Sequence, residues 1–183
     1  MTKVRVVVGI CGGIAAYKTA TLVSRFVQRG FDVSVVLTKN ATQFIGPATF
    51  SALCGRPPVL DGFDCNYPTG PHIELASEAR LLVIAPATAR LLASCAQGNA
   101  DDLLSTLYLQ MECPVLMAPA MSNVMWDKPA VQRNVKQLSQ DGVHWVGPEA
   151  GWLSCRREGI GRMAEPEAIL EASLDILNAR TNK

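Results

Sequence analysis

The sequence predicts an α/β fold, a doubly wound parallel sheet with helices covering both faces. Three observations carry that prediction. Five short apolar segments alternate with stretches of helical period, the arrangement of successive βαβ units. The first of them, residues 4–8, is an unbroken β-branched run, as a strand buried on both faces requires. Three of the segments run into loops of small residues, where ligands of such sheets settle beyond the strand ends. A chain of 183 residues, 49% of them apolar, fits one domain with a substantial core.

The elements follow in order. Residues 4–8 form a first strand, ended by Gly9-Ile10-Cys11-Gly12-Gly13. Ala16, Ala20, Val23 and Val27 then share one helical face, and Gly30 stops the helix. Residues 33–37 read as a second strand, and 44–54 as one or two short helices broken near Gly46-Pro47. The Pro-, Gly- and Asp-rich stretch 55–70 is a long surface loop, a kind that often carries function. Residues 72–79 read as helix and 81–85 as the third strand. Helical segments 87–96 and 101–109 are separated by Gly98, and residues 115–117 form the fourth strand. Residues 126–140 read as one amphipathic helix with Pro129 in its first turn, and 143–146 as the fifth strand. Residues 147–164 hold glycines and charges with little apolar periodicity, the mark of a mobile segment. Residues 166–179 form a closing helix with Pro at its start, and 181–183 fray. The whole is Rossmann-like or flavodoxin-like.

Bulk properties exclude several functions. The 17 basic and 16 acidic residues leave a formal charge of +1, so nothing marks a nucleic-acid or membrane-surface binder. No apolar run approaches the ~18 residues of a membrane span, and the first strand leaves no room for a signal peptide. The six cysteines form no CxxC pair and no metal-site spacing, so no metal is expected. They read as free thiols of a reducing, cytoplasmic protein.

The most informative stretch is Ala118-Pro-Ala-Met-Ser-Asn-Val-Met-Trp126, directly after the fourth strand. It suits either a pocket for a flat aromatic ligand or a loop whose Met and Trp are core. The turn Gly9–Ile14 presents amides at a helix N-terminus, a ready anion site. It lacks the GxGxxG spacing, and the second strand ends in Thr38-Lys39-Asn40 without an acidic residue for a nicotinamide ribose. A monophosphate held by amides and the Thr38 hydroxyl fits better. Ala85-Pro86-Ala87-Thr88-Ala89 repeats the small-residue pattern, with Thr88 placed to cap the next helix. His72 opens a helix after the long loop, and His144 lies inside a strand and reads as structural. Cys155 lies in a charged, glycine-bearing segment beside Arg156 and Arg157, and is the best candidate for a working thiol.

Taken together, G-G-I-A-A-Y-K (12–18), P-H-I-E-L-A (71–76), A-P-A-T-A (85–89), A-D-D-L-L-S-T (100–106), P-A-M-x-x-x-M-W (119–126) and S-C-x-x-x-G-x-G-R-M-A-E-P (154–166) stand in one order. This ordered set, spanning nearly the whole chain, resembles the flavin-dependent cysteine decarboxylases. Within that family it is most similar to the phosphopantothenoylcysteine decarboxylases of coenzyme A synthesis. The resemblance implies a single FMN-binding flavoprotein domain over 1–183, with a substrate flap around 148–164. It also implies a homotrimer, or a multiple of one, with the flavin at a subunit interface. Gly12, Gly13, Ile14, Thr38, Thr88, Ala89 and Ala120 would line the FMN. His72 matches the family's catalytic histidine and Cys155 its proton-donating cysteine. Ser122, Asn123, Met125 and Arg156 would meet the substrate, 4'-phosphopantothenoylcysteine.

Two departures from the family pattern bear on the substrate. The family motif has Asn where this chain has Ser122, so either Ser122 substitutes or a local shift brings Asn123 in. Cys155-Arg156-Arg157 stands where relatives commonly have Cys-Gly-Asp, and those arginines either grip a substrate phosphate or solvate the loop. The chemistry the resemblance implies is coherent. FMN takes a hydride from the carbon bearing sulfur, and the resulting C=S group is the electron sink for loss of carbon dioxide. Reduced flavin then returns the hydride while Cys155 supplies the proton. Two alternatives stay open: an oxidative decarboxylase of a peptide C-terminal cysteine, which needs no reducing flap thiol, and a non-catalytic flavin-binding regulator. Prenyl-transferring relatives lack the flap signature.

Overall fold

The computed structural model describes residues 3–181. Five parallel strands form the central sheet: β1 (Arg5–Ile10), β2 (Asp32–Leu37), β3 (Ala79–Ala87), β4 (Val115–Pro119) and β5 (His144–Trp145). Their spatial order is β2-β1-β3-β4-β5, so the chain reverses direction across the sheet between β1 and β3. Such a switch point leaves a crevice at the carboxyl ends of the strands it separates, because the loops after them part to opposite faces.

The helices are α1 (Ala16–Gln28), α2 (Pro47–Cys54), α3 (Pro71–Glu78), α4 (Ala89–Gln97), α5 (Leu103–Gln110), α6 (Asn123–Trp126), α7 (Pro129–Gln140) and α8 (Pro166–Thr181). The period of two along β1 sorts its side chains between two cores. Val6, Val8 and Ile10 join Leu22, Phe26 and Phe50 of α1 and α2 and Ile169 of α8. Val7 joins Leu91, Leu92, Leu104 and Leu107 of α4 and α5 on the other face. Both faces of the strand are buried, which is why its sequence reads as a continuous apolar run. A Cβ on Gly9 would strike the Leu104 methyls, so this glycine lets α5 press onto the sheet.

Four sequence expectations change. The helix expected over 72–79 starts at Pro71 and ends at Glu78, because Ala79 already pairs with Arg5 in a longer β3. The single helix expected over 126–140 is two, since the chain turns at 127–128 and Pro129 opens α7 afresh. His144 is exposed rather than packed within its strand. The segment expected to lack regular structure is a two-stranded antiparallel hairpin, β6 (Glu149–Trp152) with β7 (Glu158–Arg162). The fraying expected over 181–183 falls, beyond the last helical residue Thr181, outside the described residues.

Candidate functional site

Two adjoining cavities open at the carboxyl edge of the sheet, beside the β1/β3 switch point. The smaller, about 280 Å³, is lined by Gly12, Gly13, Thr38, Asn40, Thr88, Ala89, Arg90, Ala120, Met121 and Met125. The larger, about 680 Å³, lies under the hairpin, and Ile14, Lys18, Ser122, Cys155, Arg162 and Glu165 are among its walls. Gly13, Ala120 and Met121 belong to both, so a ligand in one touches the boundary of the other.

The smaller cavity is built from loops that the sequence makes narrow. A Cβ on Gly12 would come within 2.7 Å of the Asn40 carbonyl carbon, so only glycine lets the β1 and β2 loops close together. A Cβ on Gly13 would meet nothing nearer than 3.8 Å, and that space is the cavity itself. Helices α1 and α4 both begin there without a side-chain N-cap bond. The first-turn amides of α4 therefore keep positive partial charge at the cavity, whereas those of Ala16, Tyr17 and Lys18 in α1 already donate to the Gly13, Ile14 and Ala15 carbonyls. The Thr38 hydroxyl donates to the Ile10 carbonyl at 3.2 Å and accepts from the Ala41 amide, so its proton is spent on the loop rather than offered to a ligand. Thr88 is turned partly toward Cys11. Burial pushes that thiol up to about 11, against the lowering effect of hydrogen bonds from the Thr88 backbone and side chain.

The larger cavity is closed by the hairpin. The Met121 amide donates to the Gly161 carbonyl at 3.0 Å, and a Cβ on Gly161 would run into the Met121 carbonyl oxygen. Only glycine allows β7 to lie this flat on the loop after β4. An ionic chain holds the hairpin's base: Arg162 pairs with Glu149 at 2.9 Å, and Lys18 with Glu165 at 2.7 Å. The hydrogen bond from Lys18 keeps the Glu165 carboxyl below its ordinary range. Cys155 sits exposed in the turn between β6 and β7 and faces the cavity wall that carries Ser122. Ser122 caps α6, its oxygen accepting from the Met125 amide at 3.3 Å.

The structure therefore brings Gly12, Gly13, Thr38, Thr88, Ala89, Ala120 and Met125 around one cavity. It brings Gly13, Ile14, Ala120, Ser122 and Cys155 around the other. Three sequence candidates line neither. Asn123 lies under the hairpin against Gly159, with its Oδ1 buried and without a hydrogen-bond partner. Arg156 stands exposed at the hairpin tip with φ of 62°, its amide bonded to the Leu153 carbonyl. His72, second residue of α3, curls its ring back over Gly70. Sequence reasoning missed Arg90, Lys18 and Arg162 as cavity residues. Arg90 directly follows a recognised motif, whereas Lys18 and Arg162 lie inside two of them. Among the described residues, no group of three His, Cys, Asp or Glu could hold a metal ion, and no helix is long and apolar enough to cross a membrane.

The Flavoprotein family model matches residues 1–178. The chain is 46% identical over 165 residues to the Coenzyme A biosynthesis bifunctional protein CoaBC of Mycobacterium tuberculosis, covering 90% of this chain and 39% of that one. It is 43% identical over 163 residues to the CoaBC protein of Bacillus subtilis. That match takes in 88% of this chain and 40% of the other, so the chain spans about two fifths of these relatives. Among solved structures, the FMN-dependent cysteine decarboxylase SpaF superposes with a TM-score of 0.78 at 35% identity, over 93% of this chain and 97% of that one. A mutant PPC decarboxylase complexed with pantothenoylaminoethenethiol superposes with a TM-score of 0.85 at 29% identity, over 97% and 100%.

Proposed function

Because the chain belongs to the flavoprotein family, we propose that it binds FMN and decarboxylates 4'-phosphopantothenoylcysteine to 4'-phosphopantetheine in coenzyme A synthesis. The observation that carries this reading is the shared wall. Cys155 and Ser122 face a cavity that meets, at Gly13, Ala120 and Met121, a cradle formed by the glycine turn after β1 and the uncapped start of α4. The cradle suits a flavin monophosphate. Among the described residues, the amides of Gly12, Gly13 and Ile14 spend no hydrogen bond on a backbone carbonyl. Met121 and Met125 offer an apolar, polarisable surface for a flat ring. Gly12, Gly13, Ile14, Thr38, Thr88, Ala89 and Ala120 would hold the cofactor.

When bound in this cradle, FMN would supply the reversible hydride-transfer chemistry that the decarboxylation needs. The chain's own residues do the rest. The Ser122 hydroxyl, with its oxygen already accepting from Met125, keeps a proton to donate to the substrate carboxylate. Cys155 delivers its Sγ proton to the enethiolate carbon. The hairpin over 148–164 acts as the flap that excludes water from these intermediates. His72 serves as acid, base or orienting group, and it lies outside both cavities of its own chain. A homotrimer, or a multiple of one, answers that separation by bringing the partner subunit's His72 to this cavity. The six cysteines, all free, suit a reducing, cytoplasmic setting.

The likeness to SpaF, an FMN-dependent cysteine decarboxylase, keeps a second reading in play, in which the cysteine is the C-terminal residue of a peptide and the decarboxylation is oxidative. Parallel incubations with 4'-phosphopantothenoylcysteine and with a cysteine-ended peptide, read by mass spectrometry, separate the two. The proposal expects the small substrate to lose carbon dioxide alone and the peptide to stay unchanged. A peptide product lacking carbon dioxide and two hydrogens would install the second reading instead.

A further inference from the structure

The smaller cavity has one charged residue in its lining, Arg90. It stands in the first turn of α4, where a cation opposes the helix dipole and is disfavoured unless an anion is near. Two carboxylates meet it from the far side. Arg90 Nη1 lies 3.5 Å from Asp101 Oδ2, and Nη2 bonds Asp102 Oδ2. Asp102 is not free to move, because it is the N-cap of α5 and forms a reciprocal capping box with Ser105. Burial raises its pKa, but the bonds from the Ser105 amide and the Arg90 guanidinium outweigh burial and hold the carboxyl below its ordinary range. Asp101 is half exposed and accepts a second bond from the Ser94 hydroxyl at 3.2 Å. The rim of the cradle thus carries two fixed negative charges with a single guanidinium between them and the cavity.

We propose that Arg90 is the residue that makes this cradle select a phosphorylated flavin over an unphosphorylated one. The inference rests on the flavin reading above and adds a charge to it. Everything else in the lining is neutral, and the Thr38 proton is already directed at the Ile10 carbonyl. A dianionic phosphate entering between the Gly12–Ile14 turn and the first-turn amides of α4 would meet the guanidinium on one flank. Without that guanidinium it would face Asp101 and Asp102 uncovered. A guanidinium with five donors can keep both carboxylates and still direct one N–H at a phosphate oxygen.

Fluorescence titrations of the flavin-free full chain with FMN and with riboflavin test this. In the wild type FMN should bind much more tightly than riboflavin. Arg90→Gln should cut that preference about tenfold or more by weakening FMN alone, and Arg90→Lys should restore part of it. Asp101→Asn, an exposed change that leaves the α5 capping box intact, should raise the preference severalfold. Equal weakening of both flavins by Arg90→Gln would make Arg90 a structural tether and overturn the inference. An unchanged preference in Asp101→Asn would overturn it as well. A wild type that binds both flavins equally would defeat the inference and leave the flavin reading standing. A wild type that binds neither would defeat both.

Discussion

At the scale of single residues, the loop after β4 is where the proposed function places the substrate carboxylate. Ser122 and Asn123 are neighbours in sequence but face different surroundings. Ser122 lines the larger cavity and caps α6, whereas Asn123 is wedged beneath Gly159 with an unpartnered Oδ1. Ser122→Ala should therefore cost about 1 kcal/mol of stability through the lost cap. It should also weaken substrate binding by about 1.5–3 kcal/mol, the range for a hydrogen bond to a charged group. Asn123→Ala removes an unsatisfied buried oxygen and should leave substrate affinity unchanged. Isothermal titration of both variants checks the pair, and a loss confined to Asn123→Ala would mean the loop shifts on binding. The sequence left these two residues open because a one-residue slip along a loop changes no periodicity. The side that faces the cavity is set by β7 packing from above, a contact 36 residues away between Gly159 and Asn123. Gly12, Thr88 and Ala120 were legible because their small size recurs at three strand ends on one edge. Arg90 was not, since an arginine in the first turn of a helix looks like any solvated side chain until Asp101 and Asp102 are brought beside it.

At the scale of elements, the central parallel strands could be read as continuous apolar runs, because both their faces are buried, and the helices between them from the period of their buried face. The hairpin could not. Gly151, Gly159 and Gly161 lower its strand propensity, and its burial comes from docking on the loop at Met121 rather than from a buried face of its own. Those glycines are what the docking needs. At Gly161, φ is +156° and a Cβ would meet the Met121 carbonyl. Gly161→Ala should lift β7 from the loop at a cost of about 1–3 kcal/mol, the usual price of overpacking. The expected signature is faster proteolytic cleavage within 149–162 and lost turnover, with FMN still bound in the smaller cavity. Unaltered proteolysis and turnover would show that the hairpin is not held by this contact. The helix over 126–140 was misjudged for a related reason: Pro129 was read as lying within a first turn, whereas it starts a new helix after a turn at Asp127 and Lys128.

At the scale of the whole molecule, buried thiols and the separation of candidate residues both have measurable consequences. Burial pushes Cys95 up to about 12 and Cys11 up to about 11, from an ordinary value of 9.0. A thiol whose pKa is raised on folding stabilises the fold below the unfolded value, and that contribution is lost as pH climbs toward the folded one. Denaturant midpoints should be flat near pH 8 and fall between about pH 9 and 11. A midpoint that holds across that window would place these thiols in water. His72 lies outside the cavities of its own chain, so the proposed role of His72 calls for an assembly. Light scattering at micromolar concentration should give a trimer or a multiple, and a fully active monomer would remove His72 from the reaction. In the proposed reaction the hairpin holds Cys155 at the larger cavity, beside the flavin cradle, to finish a decarboxylation. The product mass made by Cys155→Ser from 4'-phosphopantothenoylcysteine tests it most directly. A serine hydroxyl is a far weaker acid than a thiol, so the variant should lose carbon dioxide and stop at a product two hydrogens lighter than the saturated thiol. Saturated thiol formed at the wild-type rate would contradict the account.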